Sequence, residues 1–129
     1  MLVQYSALLI LAPAFVAAFL ERWLDAAVIA FQAAASIWYH ATYSRVSLIV
    51  DRLALAVLVV RTFLLAISTY ATVALYVLGF GYMLTMYTYG FCHQCFSFDP
   101  RPEVADLYHA SIHVLGVAIY AGSMIFFLE

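Results

Sequence analysis

The chain has 129 residues, of which 68% are hydrophobic and only 9% are charged, with no lysine and a formal net charge of −2. A soluble domain of this length could not hide so much apolar surface, so the composition predicts an integral membrane protein. Five scattered arginines form no basic stripe, which excludes a surface for nucleic acid.

Five stretches of the chain are apolar over about the 20 residues that cross a hydrocarbon core of about 30 Å. Nothing in the sequence indicates a soluble domain, a linker or a repeat, and the first stretch lacks the basic start of a signal peptide. The sequence therefore predicts an all-α fold, a polytopic transmembrane helical bundle that forms one multi-pass domain over residues 1–129. The predicted spans are Leu2–Leu20, Leu24–Tyr43, Ser47–Ser68, Tyr70–Phe91 and Glu103–Leu128.

Several polar side chains interrupt these apolar spans. His40 lies near the end of the second span, Asp51 about one turn into the third, and His109 and His113 in the first half of the fifth. If the spans alternate in direction, all of these residues lie beneath the same membrane face, at a depth of roughly 5–15 Å. Residues i and i+4 share a helix face, which pairs His109 with His113 and Ser36 with His40. Such groups are costly in lipid, so their joint placement predicts a zinc site with an open position for water.

Each of these residues also has a structural explanation when it is taken alone. A His-x3-His pair arises by chance on many helices. Asp51 could be a favourable charge near a helix N-terminus, or the ion-pair partner of Arg52 or Arg61. Ser36 could simply allow two helices to approach closely.

The motifs Ser36-Ile-Trp-Tyr-His40-Ala41-Thr42 and His109-Ala-Ser-Ile-His113, with Asp51 eleven residues after His40, resemble those of the alkaline ceramidases. These enzymes of sphingolipid metabolism belong to a superfamily of membrane hydrolases that includes adiponectin-receptor-like and Per1-like proteins. The resemblance implies that His40, His109 and His113 hold zinc, while Asp51 and Ser36 contact the water at the ion.

The residue types then predict a reaction. Asp51 would act as general base and pass the proton to a leaving amine, and the Ser36 hydroxyl would donate to the oxyanion. The predicted substrate is a lipid amide that reaches the site laterally through the bilayer. Asp106, one turn before His109, is either an acceptor for a zinc-binding histidine or a charge in the first turn of its helix.

The segment Cys92-His93-Gln94-Cys95 is a second group of reactive side chains. It could form a disulfide, remain as two free thiols or a redox-active dithiol, or bind a second metal. The sequence leaves all of these open.

The ceramidase family usually has seven transmembrane helices, two more than this chain. The missing helices predict a homo-oligomer or a hetero-complex with other membrane subunits, with Gly79, Gly81 and Gly90 allowing a partner helix to approach. Two other functions remain: a non-catalytic membrane subunit or scaffold, and a haem-binding electron carrier with His40 and His109 or His113 as axial ligands. The arginines divide too evenly between the two faces to assign an orientation or a particular membrane.

Overall fold

The computed structural model describes residues 2–67 and 70–126. Over these residues the secondary structure is helical without any strand, so the predicted all-α fold is confirmed. The turn between the third and fourth predicted spans, at Ser68 and Thr69, lies outside the described residues. The helices are α1 (Leu2–Leu9), α2 (Leu11–Phe19), α3 (Trp23–Thr42), α4 (Arg45–Ala66), α5 (Tyr70–His93), a short 3-10 helix (Phe96–Phe98) and α6 (Pro102–Phe126).

The first predicted span is divided into α1 and α2 at Ile10. Pro13 lies three residues further on, where its ring crowds the carbonyl of Leu9 and where no N–H is available to bond it. Ile10 keeps helical torsion angles, and its N–H bonds the carbonyl oxygen of Ala7 at 3.2 Å. The interruption between α1 and α2 is therefore limited to one residue, which keeps helical torsion angles.

A tight turn joins α3 to α4. Tyr43 ends α3 in the left-handed conformation, at φ 48°. The Ser44 hydroxyl then caps α4 by accepting from the N–H of Ser47 at 3.1 Å, which satisfies one of the free donors at the start of that helix. Because the turn is short, the end of α3 and the beginning of α4 are held side by side.

The core of the bundle lies between α2, α3, α4 and α6, which pack against one another, while α1 packs on α3 and α6. α5 packs on α4 and α6. The buried core side chains are Ile10, Ala14, Ala17, Ile29, Ala33, Leu65, Tyr120 and Met124.

A buried polar cluster ties three helices together beside this core. Asp25 on α3 is 1% exposed and bonds Arg22 at 2.7 Å and Arg61 of α4 at 2.5 Å. The Tyr120 hydroxyl of α6 donates to the same carboxylate at 3.1 Å. Arg61 is thus the ion-pair partner of Asp25. The sequence had also allowed Arg61 as a partner of Asp51, and the structure pairs it with Asp25 instead.

The outside of the bundle is largely apolar. In the part of the chain that the structure describes, one helix is long and apolar enough to cross a membrane, at Pro102–Ile125, and a shorter apolar helix covers Tyr5–Phe19. Large apolar side chains are also exposed on α2, α3, α4 and α5, among them Phe15, Phe19, Leu24, Phe31, Leu53 and Leu78.

Candidate metal centre

Three histidines from two helices meet inside the bundle. The ring centroid of His40 lies 5.0 Å from that of His109 and 5.8 Å from that of His113, and the latter two are 5.0 Å apart. One ligand atom from each lies within 4.8 Å of the others. The structure therefore brings together the three residues for which the sequence predicts zinc binding. They form the one potential metal-binding group of His, Cys, Asp and Glu within residues 2–67 and 70–126.

Helix geometry accounts for this convergence. His109 and His113 are one turn apart on α6 and so point to the same side. His40 lies in the last turn of α3, is 4% exposed, and reaches them across the interior. The sequence separation of the two motifs therefore disappears in the folded chain.

Ser6 of α1 makes a further contact with this cluster. Its hydroxyl oxygen lies 2.9 Å from Nδ1 of His113, 107 residues away in the chain, and the hydroxyl is buried. A partner on one ring nitrogen fixes the orientation of an imidazole that ligates a metal through the other. Ser6 thus leaves Nε2 of His113 for an ion. Sequence reasoning missed it because a single serine in an apolar span has no spacing to a motif.

The donor set fits zinc. Neutral imidazole nitrogens bind zinc at about 2.0–2.1 Å, and three of them leave a fourth tetrahedral position for water or substrate. Three ligand atoms within 4.8 Å of one another surround a point close enough for a small movement of the rings to complete the bonds. No soft thiolate lies in the group, which is therefore a nitrogen-only site.

Asp51 of α4 faces Gln32 of α3. The Gln32 side-chain amide donates from Nε2 to Oδ1 of Asp51 at 3.1 Å, and both side chains are buried. An ionised carboxylate only accepts, so this bond orients the Gln32 amide. Oε1 of Gln32 has no hydrogen-bond partner among the described residues. Sequence reasoning missed Gln32, although it stands four residues before Ser36 and eight before His40, on the same helix face.

A cavity of about 290 Å³ connects these side chains. It lies between α3, α4, α5 and α6, and its wall includes Ser36, Asp51, His109 and His113. Apolar side chains form most of the remaining wall as far as Tyr120, eleven residues along α6 from His109 and so about 16 Å away along the helix axis. The cavity is therefore a largely apolar chamber whose polar side chains, apart from Tyr120, lie at one end.

Arg52 brings a positive charge to the polar end of this cavity. Its Cζ atom lies 5.1 Å from the centroid of the Tyr87 ring, and that ring lies 6.2 Å from the ring of His109. Both Arg52 and Tyr87 line the cavity. Among the described residues, no carboxylate forms an ion pair with Arg52, although the neighbouring Asp51 interacts with it electrostatically.

The loop between α5 and α6 covers this end of α5. Phe98 packs edge-on against Tyr87, with 5.9 Å between ring centroids. The Cys92 and Cys95 thiols are both free, and neither belongs to the potential metal group. The side chain of Arg101 donates to Asp99 at 2.9 Å and lowers the pKa of this carboxyl to about 2.

A second depression is an open groove between α1, α5 and α6, of about 890 Å³ and largely apolar. The three glycines predicted to face a partner have different surroundings. Gly79 is in close contact with Ile119 of α6, and Gly90 faces the Cys95 carbonyl oxygen, so both serve contacts within the chain. A Cβ atom at Gly81 would meet no described atom within 4 Å, so of the three glycines this one alone faces outward.

Comparison with known proteins finds no match among protein-family models, curated proteins or solved structures.

Proposed function

We propose that this chain is a zinc-dependent hydrolase of a lipid amide, similar in chemistry to a ceramidase. The observation that carries the proposal is the cluster of His40, His109 and His113, of which His109 and His113 line the polar end of an apolar cavity together with Asp51 and Ser36. A cavity with polar side chains at one end and apolar side chains along the rest suits a substrate that has one reactive polar group and a hydrocarbon tail.

Zinc, when bound by the three histidines, supplies a Lewis acid that activates water and polarises a carbonyl. Asp51 then accepts a proton from the attacking water and returns it to the leaving nitrogen. The water oxygen ends on the acyl carbon, the carbon–nitrogen bond breaks, and the products are a fatty acid and an amine. Ser36 donates a hydrogen bond to the oxygen on which negative charge develops. Gln32 holds the Asp51 carboxylate in place through its Nε2 atom.

We also propose that the chain is an integral, multi-pass membrane protein. The support is the distribution of polarity: Asp25, Gln32, Ser36 and His40 are buried, while large apolar side chains are exposed on each of the six α-helices. Polar groups in a membrane-spanning bundle face its interior, as these do. The charged residues of α4 make that helix less apolar. Two of them have partners inside the bundle, because Arg61 is paired with Asp25 and Asp51 is hydrogen-bonded to Gln32.

A membrane partner completes this proposal. The groove between α1, α5 and α6 is apolar and open, and Gly81 faces outward from α5. These features favour a homo-oligomer or a hetero-complex with another membrane subunit, whose helices would cover the groove. They equally favour the second candidate function, that of a non-catalytic subunit within a larger membrane complex.

Cleavage of a lipid amide by the purified protein tests the hydrolase. We expect N-dodecanoyl amides to release dodecanoic acid, a chelator to stop the reaction, and added zinc to restore it. The Asp51→Asn variant should keep its metal but lose about 10²–10⁴-fold in rate, the usual contribution of a general base. A wild-type protein that holds zinc yet cleaves no lipid amide would instead support the non-catalytic subunit.

A further inference from the structure

We infer that the substrate carries a carboxylate beside the scissile amide, as an N-acyl amino acid with a single hydrocarbon chain does, and that Arg52 binds this carboxylate. This inference rests on the proposed function and names its substrate class.

Arg52 is a cation that lines the polar end of the apolar chamber, where the residue is also exposed on the outside of the bundle. It lies seven residues, or about 10 Å along the helix axis, from Arg45 at the start of α4. Its guanidinium is held near the face of the Tyr87 ring, a contact that orients an arginine without neutralising it. The neighbouring Asp51 is hydrogen-bonded to Gln32 and forms no ion pair with Arg52. Tyr87 and Asp51 interact with the guanidinium without forming an ion pair with it, so donors of its fork are available for an anion.

The charges of the site favour an anionic substrate. Three neutral imidazoles leave the two positive charges of a zinc ion uncompensated, and Arg52 adds a third, against the negative charges of Asp51 and of Asp106, which acts electrostatically on His40. Uncompensated charge is costly in an apolar interior. A substrate carboxylate would reduce this imbalance, whereas a neutral lipid amide such as a ceramide would leave it unchanged.

The geometry favours a carboxylate next to the amide. Arg52 and His109 both lie near the Tyr87 ring, whose centroid is 5.1 Å from Cζ of Arg52 and 6.2 Å from the ring centroid of His109. A carboxylate on Arg52 is therefore close to an amide carbonyl at the histidines. An arginine fork matches a carboxylate with two parallel hydrogen bonds.

The volume of the cavity indicates a single chain. About 290 Å³ is at the lower end of the range for ligand pockets, and its apolar wall continues along α6 to Tyr120. One hydrocarbon tail suits this shape, and the two tails of a ceramide would need a much larger chamber. A single-chain N-acyl amino acid meets both the charge and the size of the site.

The test compares two substrates that differ only in charge. N-dodecanoylglycine and its neutral analogue N-dodecanoylglycinamide contain the same scissile bond and the same tail. With the protein in phosphatidylcholine nanodiscs, we expect kcat/KM to be about tenfold or more higher for the glycine compound, the factor that one charge-assisted hydrogen bond supplies. Arg52→Gln should bring the ratio of the two kcat/KM values close to one, and Arg52→Lys should retain part of the preference for the glycine compound. Arg45→Gln, which removes an arginine outside the cavity on the same helix, should leave the ratio unchanged.

Binding of the same two compounds separates this inference from the proposed function. If neither compound is cleaved, the hydrolase fails, but tighter binding of N-dodecanoylglycine that depends on Arg52 would still uphold the carboxylate site. Equal binding of the two compounds, or a preference for N-dodecanoylglycine that persists in Arg52→Gln, would overturn the assignment of Arg52 as the carboxylate site. Phosphatidylglycerol nanodiscs test lipid headgroups as the source of the anion: competition that disappears in Arg52→Gln would assign Arg52 to headgroup phosphates and would also overturn the inference.

Discussion

Replacement of Gln32 by leucine tests how the site positions its base. Gln32 is buried at the interface of α3 and α4, and its Nε2 atom makes the hydrogen bond to Asp51 at 3.1 Å. A hydrogen bond to a charged group contributes about 1.5–3 kcal/mol, so its loss should lower kcat by about 10–150-fold if the bond serves mainly the transition state. Leucine has a similar volume and preserves the packing of the two helices.

The assay is steady-state cleavage of N-dodecanoylglycine, with metal content measured on the same samples. We expect kcat to fall while the zinc content stays close to that of the wild type, because Gln32 lines the cavity but is not one of the three potential metal ligands. Gln94→Leu is the matched control, since Gln94 is exposed in the loop after α5 and bonds only the Phe91 carbonyl. An unchanged kcat in Gln32→Leu would refute the positioning role, and loss of zinc would show that Gln32 acts on the metal cluster instead.

Two further predictions concern other buried hydrogen bonds. Ser6→Ala removes the partner of Nδ1 of His113 and should weaken zinc binding by about 10–100-fold, as competition with a fluorescent zinc chelator would measure; unchanged affinity would mean that Ser6 does not orient the ring. Asp25→Asn takes the charge from a carboxylate that bonds two arginines and should lower the free energy of unfolding by about 3–5 kcal/mol, as denaturation in detergent would measure. Asp99→Asn removes a carboxylate whose partner, Arg101, is 67% exposed, and it should change the free energy of unfolding little. Equal effects of the two substitutions would contradict the structural role of the Asp25 cluster.

The arrangement of the histidines could be predicted because it depends on simple regularities. Residues one turn apart share a helix face, and the order of the apolar segments places the end of α3 near the first half of α6. These two rules are enough to bring His40 to His109 and His113. The prediction did not depend on where each helix begins or ends.

Ser6 and Gln32 could not be predicted with the same rules. The contact of Ser6 with His113 depends on how α1 packs against α6, which is a property of the whole bundle. Gln32 does continue the row of Ser36 and His40 on α3, and this spacing is the one signal that could have indicated it. The break at Ile10 has a local cause in Pro13, and a helix interior containing proline is where such a kink is expected.

The glycines of α5 illustrate the opposite problem. A small residue permits close approach, but the sequence does not say whether the approaching group belongs to the same chain. At Gly79 it is Ile119, and at Gly90 it is the carbonyl of Cys95. The state of Cys92 and Cys95 likewise depends on their separation in the folded loop, and both are free thiols.

Metal content tests the central claim most directly. The protein should be purified in detergent without chelators, and zinc measured per chain by mass spectrometry for the wild type, His113→Ala and His93→Ala. His93 is outside the cluster, with its ring against Tyr89, and so serves as the matched control. We expect zinc near one per chain in the wild type and in His93→Ala, and its loss in His113→Ala. A wild type without zinc, or zinc that persists in His113→Ala, would contradict the assignment of His40, His109 and His113 as a metal site.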